Sequence, residues 1–139
     1  MKVYVDSSVV LRIVLDQPGA FAGPEEWELA VVSELLKVET LRALDRLRVK
    51  SRATGAYLAG KLDVLHRVTR SFNVIPIRPA VLTRAGSSFP TAVGTLDAIH
   101  LATALLWIEE RDEPLTFLTH EAQQALAARA CGLEVRTAP

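Results

Sequence analysis

A single cysteine, Cys131, in 139 residues rules out an intrachain disulfide and leaves no thiol pair to grip a metal. Its place late in a helix-like run (Ala127, Ala128, Ala130) reads as packing, and a lone thiol suits a reducing compartment. Aromatics are scarce at 6 %, against 50 % apolar residues overall, so the core must come from Leu, Val and Ala. No long hydrophobic run is present. The longest, Ile99 to Ile108, is broken by His100 and falls well short of the roughly 20 residues of a membrane span. The opening Met1 to Asp6 meets a charge too early for a secretory signal. These absences predict a soluble, cytoplasmic protein with no membrane partner. The length, 139 residues, predicts one domain over 1–139.

Several chemistries are missing too. There is no GxGxxG, GxxxxGK[ST] or GxSxG, which removes the usual phosphate-cradling loops and the serine elbow. An aspartyl-phosphate scheme wants a second Asp two residues after Asp6, where Ser8 stands. His66, His100 and His120 are scattered and lack zinc spacing. Net charge is absent as well, with 16 basic and 16 acidic residues. The charge is nevertheless segregated. Residues 1–41 carry 3 basic and 7 acidic residues, 42–84 carry 10 and 2, and 85–139 carry 3 and 7. A basic middle attracts a polyanion, or simply solvates the outer faces of two helices.

What is present alternates between two periods. Lys2–Val5 reads as a strand, and Asp6-Ser7-Ser8 opens a helix over Val9–Leu15. Gln17–Pro24 is a loop and Leu29–Val32 a second strand. Ser33 is placed to cap a long helix from Glu34 to about Val49, and a further helix runs from Thr54 to Ser71. Val74–Ile77 is a third strand, followed by a short helix at Val81–Ala85 and a Gly- and Ser-containing loop, 86–94. Thr95 is placed to cap a helix reaching about Glu110. Leu115–Leu118 is a fourth strand, Glu121–Cys131 a last helix stopped by Gly132, and Leu133–Arg136 a final strand. Strands alternating with helices predict an α/β fold, a parallel sheet covered on both faces. Functional residues then belong beyond the carboxyl ends of the strands.

Four carboxylates answer that description, each with an ordinary alternative. Asp6 follows the first strand, where Asp also caps helices well. Glu39 lies on its helix within about 80° of Leu35, Leu36, Ala43 and Leu47, so a charge sits at the edge of an apolar face. Arg42 or Arg46 on the same side would supply a plain ion pair. Asp97 suits a helix N-terminus, yet the helix beyond it is apolar nearly all round, which marks burial. Glu121 opens the last helix, a common place for Glu. His100, one turn after Asp97, is either a support for this group or a core or interface histidine. Gathered together, four carboxylates need a cation, and hard divalent ions prefer oxygen ligands.

At these residues the chain resembles the PIN-domain family, and within it the VapC-type toxins. Val3-Tyr4-Val5-Asp6-Ser7-Ser8 resembles the family's first strand and first acid, and Ser33-Glu34-Leu35-Leu36-Lys37-Val38-Glu39 its Ser-to-Glu helix start. Thr95-Leu96-Asp97-Ala98-Ile99-His100-Leu101-Ala102-Thr103-Ala104 is the most specific match. Phe117-Leu118-Thr119-His120-Glu121, with Ala127, Gly132-Leu133 and Val135, resembles the closing strand–helix–strand. The resemblance implies a three-layer α/β/α sandwich with a central parallel sheet. It implies a metal-dependent endoribonuclease that homodimerises and is inhibited by a cognate antitoxin whose tail fills the site. Asp6, Glu39 and Asp97 would hold Mg²⁺ or Mn²⁺. Glu121 stands where the family usually has Asp, and would act directly or through water. Ser7 and Thr95 are candidates to orient a carboxylate or water, and Arg12, Arg42 and Arg46 to hold the RNA backbone. The contrasting expectation is a non-catalytic RNA-binding or regulatory module on the same fold, with steeply salt-dependent affinity and no need of Asp97.

Overall fold

The computed structural model describes residues 1–139. Its strands are β1 (Lys2–Val5), β2 (Leu29–Ser33), β3 (Asn73–Ile75), β4 (Thr116–Leu118) and β5 (Glu134–Arg136). All pairings are parallel, in the spatial order β3-β2-β1-β4-β5. The helices are α1 (Ser7–Val14), α2 (Leu35–Ser51), α3 (Gly55–Thr69), α4 (Pro79–Ala85), α5 (Thr95–Arg111) and α6 (Ala122–Ala130). The covered parallel sheet expected from the alternation of periods, and the α/β/α sandwich that the resemblance implies, are the fold the chain adopts.

Period-two alternation sorts the strands into two cores. Val3 and Val5 of β1, Ala30 and Val32 of β2 and Leu118 of β4 face a cluster with Val9, Val10 and Val14 of α1, Leu36 and Leu44 of α2 and Leu65 and Val68 of α3. Tyr4, Val31 and Phe117 point the other way, onto Leu101, Ala104 and Trp107 of α5 and Ala127 and Ala128 of α6. The register sets Val31, Tyr4 and Phe117 side by side across three strands. Helix α5 is buried nearly all round because α4 packs on it while it lies against the sheet. No helix is long and apolar enough to cross a membrane.

Element ends differ from expectation for local reasons. Thr95 is not the cap of α5; Gly94 takes the extended cap conformation and Thr95 is the first helical residue. Nor is Ser33 the cap of α2: Glu34 holds that position with no side-chain bond, α2 starts at Leu35, and the Ser33 hydroxyl accepts from the Leu35 N–H at 3.2 Å from one residue further out. Strand β3 ends at Ile75 because Pro76 has no N–H for the ladder. Gly132 stops α6 as expected, at φ +85°, a conformation that side chains disfavour. The order 3-2-1-4-5 puts the topological switch between β1 and β4, the place where open parallel sheets bind ligands.

Candidate active site

The site assembles at that switch. Asp6 leaves β1 as the N-cap of α1, and is 3 % exposed. Its Oδ2 accepts from the Ser8 N–H at 3.1 Å, from the Ser8 hydroxyl, and lies 3.1 Å from the Thr119 hydroxyl. Asp6 is therefore a helix cap, and the other oxygen of the same carboxylate, Oδ1, lies 3.7 Å from His100 Nε2. The hydroxyl that steers Asp6 belongs to Ser8 rather than Ser7, which is buried. Ser8 Oγ also accepts from the His120 N–H at 3.0 Å, and Thr119 Oγ1 from the Glu121 N–H at 3.0 Å. The turn after β4 is thereby tied to the start of α1.

Thr119 has one proton and two acceptors in reach, Asp6 Oδ2 and Gln124 Oε1 at 2.8 Å, while the buried Gln124 Nε2 has no partner. Turning the Gln124 amide over resolves the first conflict: its NH₂ then donates to Thr119, whose proton goes to Asp6. Thr119 is fully buried, so Thr119→Val leaves the Glu121 N–H and Gln124 unpaired. The expected loss is about 1–3 kcal/mol of stability, read by urea unfolding. A wild-type midpoint would show that the hydroxyl bonds contribute nothing.

Glu39 arrives from α2. Its partner is neither Arg42 nor Arg46 but a residue of α5: His100 Nε2 lies 2.6 Å from Glu39 Oε2 and 3.7 Å from Asp6 Oδ1. His100 is 1 % exposed, and its Nδ1 lies 2.8 Å from the Tyr4 hydroxyl. Burial works to lower the His100 pKa, but the Glu39 hydrogen bond and the charges of Asp6, Glu39 and Asp97 outweigh it and raise the pKa. The histidine that sequence left between support and core is both, a core residue bonded to an acid.

Asp97 lies in the first turn of α5, half-buried. Its pKa is raised by burial first, then by the charge of Asp6, against a lowering by His100, and further by Glu39 and Glu121. All four acids thus act on one region. Glu121 is exposed, as the extended residue before α6. No three of the His, Cys, Asp and Glu side chains already converge on one ion-sized point. The acids share a field without forming a closed cage, and no lysine or arginine forms an ion pair with any of them.

The remaining candidates are spread out. Thr95 is exposed at the head of α5. Arg12 donates to the Pro18 carbonyl at 3.1 Å and is near enough to help lower the pKa of His120, after burial. Arg42 and Arg48 both pair with Asp45 on the exposed face of α2, pairs of little energetic weight. Arg46 is exposed and makes no ion pair. Cys131, half-buried at the end of α6, has its pKa raised by burial. Tyr4, Ser8 and Thr119 were not singled out from sequence. Ser8 and Thr119 carried a usable signal, hydroxyls just past the ends of two inner strands; Tyr4 carried only its alternation within β1.

Comparison with known proteins bears on the whole arrangement. The family model of the PIN domain matches residues 3–126. The chain is similar to Ribonuclease VapC46 of Mycobacterium tuberculosis (strain ATCC 25618 / H37Rv), 31 % identical over 105 residues that cover 73 % of each chain. Its fold is similar to the crystal structure of PAE2754 from Pyrobaculum aerophilum, with a TM-score of 0.60 and 15 % identity over 99 % of this chain and 84 % of that one.

Proposed function

This chain belongs to the PIN-domain family, and from that premise we propose that it is a metal-dependent endoribonuclease, the toxin of a VapBC-type toxin–antitoxin pair. The observation that carries the proposal is the gathering of acids at the switch point of the sheet: His100 Nε2 lies 2.6 Å from Glu39 Oε2 and 3.7 Å from Asp6 Oδ1, with Asp97 one turn before it on α5. Carboxylates aimed at one region, with only a histidine between two of them, suit a hard divalent ion. Since no three of them converge, the ion would rest on one or two carboxylates, with water and substrate oxygens completing its shell, as Mg²⁺ commonly does.

In this proposal Asp6 and Asp97 hold Mg²⁺ or Mn²⁺, Glu39 completes the set, and Glu121 acts directly or through water. When bound, the ion neutralises charge on the scissile phosphate and acidifies attacking water. The protein's own part is to keep the acids fixed and close. Ser8 and Thr119 hold Asp6 through Oδ2, so Oδ1 stays available. Arg12 and Arg46, with the basic faces of α2 and α3, would attract the RNA backbone. The partners that follow are RNA, a cognate antitoxin whose tail fills the site, and a second copy of the chain, in the cytoplasm.

Cleavage of an RNA substrate should stop in excess EDTA and return with added Mg²⁺ or Mn²⁺. Activity that survives chelation would sink the metal mechanism. RNA binding with steep salt dependence but no cleavage under any metal would favour the non-catalytic module instead.

A further inference from the structure

Tyr4 is fully buried on the α5 side of β1. Its ring stacks on Phe117 at 4.9 Å and 12°, and meets His100 edge-on at 6.0 Å and 76°. Its hydroxyl lies 2.8 Å from His100 Nδ1, and a phenol is a hydrogen-bond donor at neutral pH. Across the ring of His100 lies Glu39, whose Oε2 takes the histidine bond while Oε1 has no protein partner.

We propose that Tyr4 and His100 are positioning residues that fix the carboxylate of Glu39 for the divalent ion. The phenol donates to Nδ1 of neutral His100, which places the ring proton on Nε2, facing Glu39. Charged His100 also carries a proton on Nε2. In either state Glu39 Oε2 accepts the bond and Oε1 is left for the ion. Imidazole tautomers are commonly set by the partner of the distal nitrogen. The inference rests on the metal-site proposal above, but concerns two residues outside the acidic set. A purely structural role would satisfy the same buried atoms without affecting the ion.

The test measures Mn²⁺ binding directly, by the electron paramagnetic resonance signal of free Mn²⁺ over a protein titration, without RNA. Tyr4→Phe keeps the stacked ring and loses only the phenol; His100→Gln keeps a donor of similar reach; His100→Leu keeps none. Circular dichroism and thermal melting check the fold of each. Tyr4→Phe and His100→Leu should weaken Mn²⁺ about tenfold or more, with His100→Gln recovering part of the loss. Imidazole ¹⁵N spectra of metal-free protein should show a protonated Nε2 at His100 in the wild type and a tautomer mixture in Tyr4→Phe. Wild-type Mn²⁺ affinity in a folded Tyr4→Phe or His100→Leu protein would overturn the positioning role, while loss of binding in Asp97→Asn leaves the metal site standing. Absence of Mn²⁺ binding in the wild type would overturn both.

Discussion

Asp97→Asn is expected to lower RNA cleavage on the order of 10²- to 10³-fold, the usual scale for removing one preorganised electrostatic group, while the protein stays folded. Fold and activity separate here because Asp97 is strained by its site. Burial and the neighbouring acids raise its pKa, so at neutral pH the metal-free fold disfavours its charge relative to the unfolded chain. Removing that charge relieves repulsion, and the melting temperature in EDTA should rise rather than fall. Asp6→Asn should abolish cleavage similarly, since Asn caps helices about as well as Asp. It should not share the rise in melting temperature, because Oδ2 of Asp6 accepts from Ser8 and Thr119 in bonds that an amide makes less well. Cleavage assays with sequenced RNA ends, paired with melting in EDTA, read both halves. Wild-type cleavage by either variant would remove the acid from the mechanism.

How much of this was legible in the sequence depends on the range of each interaction. Strands and helices follow from periods of 2 and 3.6, so their order emerged and only their ends moved, by capping at Gly94 and by Pro76. Asp6 and Asp97 were legible because each sits at an element end, and the fold brings such ends together. The partner of Glu39 was not. Within its own helix the visible cations were Arg42 and Arg46, and the actual partner, His100, is 61 residues away. Likewise Ser7 and Ser8 are indistinguishable as residue types; only the direction of the first turn of α1 brings Ser8 to Asp6.

Phe117→Ala should cost about 3–5 kcal/mol, the range for removing a buried aromatic. That is a large share of the roughly 5–15 kcal/mol that keeps a domain folded. Phe117 is 0 % exposed and pairs with Tyr4 in the β1–β4 register, the two rings stacked on the face covered by α5 and α6. Leu126→Ala, on the 53 % exposed side of α6, should change stability by no more than about 0.5 kcal/mol. Urea unfolding of both variants gives the contrast, and a Phe117→Ala protein as stable as Leu126→Ala would contradict the packing of this layer. The milder Phe117→Leu keeps much of the volume and should fold, yet it removes the flat surface beneath the Tyr4 ring. If the Tyr4 hydroxyl holds His100 and His100 holds Glu39, Phe117→Leu should weaken Mn²⁺ binding along with stability. The acids at the switch point then depend on a hydrophobic stack beneath them, and the same ring that closes the core keeps one carboxylate in place.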